Sequence, residues 1–324
     1  MILLLNQAAE PPFLWAGEAA GLGAAIVWAV ASVLYARSFR SDGPLDAVWF
    51  KNVVSSIILG ACALLLGKQY GGGLPASEEF GWILGSGLFG MCLGDWLYFV
   101  AIAHLGVSRA IILTMATPAL TAIGAWLLFA ESLQMSQWCG VAFVVAGGIL
   151  VESRRLKPKP SASSTSTQEA ALAASHCHAQ KRGYWAAAGA TLCWTASNMI
   201  LRNGLHATGA VTGGALRLAA GSIGFLLWFL LRGQLRRQIR KLGTRDSWRQ
   251  FAIPTLLGTV IGMILYVSAF KWAPLGVAAS LSSTVPLFAL PLSIWLLKEN
   301  PNGRGWAGSV VVVLGVFMVG NLLP

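Results

Sequence analysis

The chain has 324 residues, of which 56% are hydrophobic and 11% charged, whereas an ordinary soluble domain carries about 25% charged residues. This composition excludes a soluble globular enzyme and indicates an all-α polytopic membrane protein, in which about 20 apolar residues make one crossing. The formal charge of +11 does not imply nucleic-acid binding, because the basic residues sit in loops between apolar segments and not in one patch.

Met1 to Leu5 is apolar but lacks a basic leader and is followed by Glu10, Pro11 and Pro12. It does not read as a cleavable signal peptide, and the first crossing is expected to direct the chain to the membrane. Apolar runs broken by Gly, Pro and charge predict crossings at 15–36, 45–66, 80–103, 107–129 and 134–151. Five more are predicted at 185–203, 209–231, 250–270, 274–297 and 304–323. The organisation is therefore a first five-helix unit at 1–151, a linker at 152–184 and a second unit at 185–324. The linker carries Arg154, Arg155, Lys157 and Lys159, a Ser/Thr/Ala-rich tract, then Lys181 and Arg182, which predicts a mobile segment. The five cysteines show no CxxC spacing and four fall inside apolar segments, so neither a disulfide framework nor a zinc site is indicated. His176, Cys177 and His178 in the linker lack a four-ligand set. No metal or other cofactor is expected.

The two units match each other. At an offset of 166 residues Trp28 meets Trp194, Gly43 meets Gly209 and Lys51 meets Arg217. At 168, Gly90 meets Gly258, Gly94 meets Gly262, Tyr98 meets Tyr266, Pro118 meets Pro286, Glu131 meets Glu299 and Gly147 meets Gly315. Ordered matches at a near-constant offset indicate duplication. A repeat with five crossings places its second copy upside down, and the loops agree. Of the 23 Lys and Arg, 18 fall in the linker and in the loops after crossings one, three, seven and nine; three (Lys68, Arg202, Lys271) fall opposite. The positive-inside rule then makes the linker cytoplasmic and puts both termini outside. Inverted repeats are what a secondary transporter uses to expose a midplane site alternately to each side.

The stretches Ala101 to Val151 and Ala269 to Val319 each carry a Pro in the fourth helix, a Glu thirteen residues later and a Gly-rich fifth helix. With Lys51 and Arg217 early in the second helix of each copy, the chain resembles the EamA-type families of the drug/metabolite transporter superfamily. The resemblance covers nearly the whole chain and implies ten transmembrane helices in two inverted repeats. It also implies transport of a small organic solute such as an amino acid, metabolite or drug. It does not select the solute.

Asp95 is the only Asp well inside a crossing, where a carboxylate must be paired, hydrated or protonated. At about 1.5 Å per residue, Asp95 and Lys51 lie roughly 12 Å and 9 Å from the same membrane face, so they can meet. Asp95 is then either a proton-accepting or solute-binding carboxylate, or one half of a permanent ion pair with Lys51. Its counterpart in the second copy is Met263, so coupling through it is asymmetric. Arg217 has no acid at its depth in its own half; either it snorkels or binds carbonyls, or it holds an anionic group of the solute. Trp28, Trp194, Asn198, Tyr98 and Tyr266 are candidates for solute contact or for packing. Pro118 and Pro286 are expected to kink helices four and nine. Gly81/Gly85, Gly90/Gly94 and Gly258/Gly262 have the spacing of close helix contacts, inside the bundle or at a dimer face.

The function expected is a secondary active transporter, an exporter working by alternating access with proton coupling or solute exchange, in the inner membrane. Its partners are the solute, the bilayer lipid and protons, with the protein a monomer or homodimer. A passive channel is the alternative. An intramembrane enzyme is disfavoured, since the sequence lacks HExxH, a nucleophile elbow and the GxGD spacing around Asp95.

Overall fold

A computed structural model of the chain describes residues 15–38, 43–66, 77–129, 134–152, 166–202, 208–272, 281–298 and 303–319. The secondary structure among them is helical, as a bilayer demands of backbone groups that have no water to bond. In the first half, α1 is Ala16–Ser38, α2 is Pro44–Leu66 and α3 is Ser77–Leu105. A broken pair follows, α4 (Val107–Thr114) and α5 (Ala116–Phe129), and then α6 (Met135–Glu152). In the second half, α7 is Ser166–Arg202, α8 is Ala210–Leu231 and α9 is the short Leu235–Leu242. The continuous α10 comprises Arg245–Pro254, Thr255–Ile261 and Gly262–Trp272, and is followed by α11 (Val285–Leu297) and α12 (Gly303–Val319).

The helices pair crosswise between the halves. α1 packs on α10 and α11, while α7, its counterpart, packs on α3, α4 and α5; α2 packs on α8, and α6 on α12. These main contacts from the first half to the second have their mirrors from the second to the first, as a pseudo-two-fold axis requires. Two polar links show the inversion. Lys241, at the end of α9, donates to Asp46 Oδ2 at 2.7 Å in the first turn of α2. Thr208, just before α8, donates from its backbone N–H (2.8 Å) and hydroxyl (2.5 Å) to Glu79 at the start of α3. The first link joins the loops after crossings one and seven, the second those after crossings two and six.

Four features depart from the expectation. The helix expected at 185–203 begins at Ser166, because the tract from Ser166 to Lys181 is rich in Ala, the best helix former. α9 forms inside a loop read only as basic. α3 and α10 each contain one π-helical segment, Leu88–Gly94 and Thr255–Ile261, at matching places in the two repeats. The fourth helix breaks at Met115, three residues before Pro118. The Thr114 carbonyl, which the ring of Pro118 deprives of its amide donor, accepts instead from Thr117 Oγ1 at 2.8 Å. Pro286 lies in the first turn of α11, where a missing N–H is cheapest. Glu131 and Glu299 lie outside the described residues, and so do the side chains of His176 and Cys177.

Close approach at glycines holds this arrangement. A Cβ on Gly147 would stand 2.8 Å from the Gly308 carbonyl oxygen, and one on Gly315 2.7 Å from that of Gly140. α6 and α12 therefore touch backbone to backbone, across the axis and in both directions. The expected Gly90/Gly94 and Gly258/Gly262 pairs also serve packing inside the bundle, whereas Gly81 has open space around it. Gly147→Ala and Gly315→Ala are expected each to lower the detergent-solubilised protein's stability by about 1–3 kcal/mol, the cost of overpacking a filled contact. Gly60→Ala, with nothing within 4 Å, is expected to leave it unchanged or raise it by about 0.5–1 kcal/mol from helix propensity. Thermal unfolding of the three variants checks this, and equal effects at all three positions contradict it.

Candidate functional site

The centre of the bundle is organised around the first π segment. Asp95 closes its last wide turn, and the change of register leaves carbonyl groups for side chains of other helices. Asn52 Nδ2, fully buried on α2, donates to the Met91 carbonyl at 2.8 Å, and Ser197 Oγ on α7 donates to that of Ser86 at 2.7 Å. Asn52 in turn accepts from Lys51 Nζ at 3.0 Å. Lys51 and Asp95, 5% and 8% exposed, form an ion pair at 2.5 Å through Asp95 Oδ2. The other carboxylate oxygen, Oδ1, accepts from Trp194 Nε1 at 3.0 Å. Asp95 thus ties α2 and α3 of the first half to α7 of the second, with each oxygen engaged by a different helix.

The repeat-matched aromatics meet crosswise. Trp28 lies against Tyr266, with ring centroids 5.0 Å apart, and Trp194 lies against Tyr98 at 5.1 Å. Each indole fills a glycine notch in the other half. A Cβ on Gly262 would lie 2.6 Å from Trp28 Nε1, and one on Gly94 2.6 Å from Trp194 Cδ1. The symmetry stops at the hydrogen bond. Trp28 Nε1 donates to the Gly258 carbonyl in the second π segment, at 2.9 Å, whereas Trp194 donates to Asp95. Tyr98 completes the first side through its hydroxyl and Ser32 Oγ, 3.0 Å apart.

Arg217 on α8 is 4% exposed, so it does not reach out to a membrane face. One Nη donates to Ser197 Oγ at 3.0 Å, and Nε has no acceptor. Its backbone leans on Gly87, where a Cβ would meet it, and the guanidinium passes beside Gly90. Asn198, the neighbour of Ser197, is half-buried on α7. The structure therefore brings Lys51, Asp95, Trp194 and Tyr98 together and pairs Trp28 with Tyr266. Arg217 joins the same π segment through Ser197. Pro118 and Pro286 shape the broken helices and not this centre.

Asn52, Ser197 and Ser32 were not anticipated from the sequence. A lone Asn or Ser in an apolar run is a signal, but the partners here are a tyrosine hydroxyl for Ser32 and backbone carbonyls within or just before a π segment for Asn52 and Ser197, and no residue type announces such a segment.

A sequence profile of the EamA-like transporter family matches residues 15–153 and 181–321, one repeat each. A protein of Synechocystis sp. described as an uncharacterized transporter is 32% identical over 146 residues, which cover 44% of this chain and 43% of that protein. The chain thus spans less than half the length of that curated relative. A protein known from a crystal structure is similar in fold, with a TM-score of 0.63 at 17% identity over 94% of this chain and 96% of that one. Both halves match the family profile and pack across each other as inverted repeats do, and the chain belongs to the EamA-like transporter family of the drug/metabolite transporter superfamily.

Proposed function

We propose that this family transporter is a secondary active exporter of a small organic solute in the inner membrane. Its linker faces the cytoplasm, both termini lie outside, and it works by alternating access. The observation that carries the reading is the link from Lys51 and Asp95 in the first half to Trp194 in the second, buried where the halves cross. Alternating access needs a contact between the halves that forms and breaks around a midplane site. A carboxylate bridging them suits this role, since a proton on Asp95 removes the charge that Lys51 pairs with and weakens the bridge. Trp28, Tyr98, Asn198 and Tyr266 are assigned to the solute-facing wall around it. The burial of the charged centre supports a transporter over a continuously open channel.

The first test compares intracellular and extracellular metabolites in cells expressing wild type, Asp95→Asn or empty vector at matched membrane levels. One solute class is expected to shift out of the cell with wild type alone. An equal shift with Asp95→Asn removes Asp95 from the coupling role, and no shift with wild type removes the exporter reading.

The ion pair also has a stability signature. Lys51→Met, which leaves Asp95 buried without its cation, is expected to cost about 3–5 kcal/mol, whereas Lys51→Met with Asp95→Leu recovers most of that loss. Thermal unfolding of both variants in detergent measures it. A double variant no more stable than the single one contradicts the pairing.

A further inference from the structure

Among the described residues the pseudo-two-fold frame carries two buried cations, Lys51 and Arg217, and of these Lys51 has an acid partner. Lys51 faces Asp95; Arg217 is its counterpart on α8, and the counterpart of Asp95 is Met263. Met263 is 6% exposed on α10 and packs towards α8, where a Cβ on Gly214, one turn before Arg217, would stand 3.0 Å from its Cγ. A flexible thioether thus occupies the position from which the first half presents a carboxylate. The Asp95 carboxylate is turned to Lys51 and Trp194, and the ion pair it forms is with Lys51. Among the described residues no carboxylate pairs with Arg217, and Nε lacks an acceptor. An enclosed guanidinium with unused donors is costly, and its planar fork fits a carboxylate or phosphate through two parallel bonds. Tyr266, three residues beyond Met263, packs on the buried cluster that holds Met263 and Leu218, the neighbour of Arg217, and its ring lies against Trp28 with centroids 5.0 Å apart. An aromatic pair therefore borders that cluster.

We infer that Arg217 is a solute-binding residue and that the solute is an organic anion, whose carboxylate or phosphate takes up opposite Arg217 the place that Asp95 holds opposite Lys51. The inference rests on the transporter reading above and adds the chemical class of its solute. In the first half the anion is built into the chain; in the second the solute supplies it.

The test uses the purified full-length protein in detergent. Thermal unfolding and tryptophan fluorescence are followed during titration with benzoate, acetate and inorganic phosphate at constant ionic strength in chloride, with benzamide as the neutral twin of benzoate. At least one oxyanion is expected to raise the unfolding midpoint of wild type where chloride and benzamide do not, and the carboxylate and phosphate arms show which headgroup fits. Arg217→Lys is expected to weaken that binding roughly tenfold to hundredfold, through loss of the bidentate bonds. Met263→Asp supplies the missing acid in the chain itself. It is expected to raise the midpoint without added anion and to abolish the anion response, which keeps the test decisive if an Arg217 variant fails to fold. An equal response in wild type, Arg217→Lys and Met263→Asp overturns the inference, as does no oxyanion response in wild type. Anion binding without any exported solute would remove the transporter reading and keep the anion site; a neutral or cationic exported solute would do the reverse.

Discussion

Two indoles in two glycine notches hold the halves in register. Inside a bilayer, lipid tails are as apolar as leucine, so helices gain little by hiding apolar surface from one another and must gain from contact. Trp28 against Gly262 and Trp194 against Gly94 supply that contact on both sides of the axis, at distances that a single added Cβ would forbid. The rest of the centre follows from these notches. Asp95 comes directly after Gly94 and Met263 directly after Gly262; the first is delivered to the Trp194 indole, and the second packs towards α8. In the first half that residue is charged and the indole N–H turns to it. In the second it is apolar and the N–H of Trp28 turns to a backbone carbonyl.

A symmetric scaffold with an asymmetric centre has a chemical consequence. Duplication gives two equivalent folds, which in the proposed cycle supply two conformations of similar energy, the requirement for opening to either side. Charge placed equally in both halves would weigh on both conformations alike. Here the Asp95 carboxylate belongs to one half and Met263 stands at its counterpart, so in the proposed cycle the polar interactions that break on opening differ between the two faces. In the proposed cycle this difference gives the protonation of Asp95 and the occupation of Arg217 separate effects on the two conformations, and a ligand shifts an equilibrium only by such a difference.

The crossings and the duplication were legible in the sequence because both rest on repeated physical necessity. About 20 apolar residues per crossing is a bilayer dimension, and Trp28/Trp194, Gly94/Gly262 and Gly147/Gly315 match because each pair makes the same contact twice. The depth estimate that lets Lys51 meet Asp95 likewise needed only helix rise. Three things were not legible. The extension of α7 back to Ser166 was hidden because an Ala- and Ser-rich polar tract reads equally as linker or helix until it finds a surface; here its helix runs on to Gly183, which packs on Leu105. The π segments were hidden because glycine spacing signals close approach but not a change of hydrogen-bond register. The roles of Asn52 and Ser197 were hidden with them, since their acceptors are backbone carbonyls.

That hidden register links the two cations. Arg217 reaches the Ser86 carbonyl through Ser197, and Lys51 reaches the Met91 carbonyl through Asn52; Ser86 lies two residues before the single π segment of α3 and Met91 within it. Asp95 begins the α-helical turn that follows it, and its N–H closes the last wide ring onto the Gly90 carbonyl. A change of register in this one turn therefore displaces the Asp95 carboxylate and both carbonyl anchors together. The proposed recognition at Arg217 and the charge pairing at Lys51 need no long path between them to be coupled, because both hang from the same few peptide groups. A packed helix has discrete hydrogen-bond registers and does not stretch continuously, so a coupling built this way acts as a switch between two arrangements.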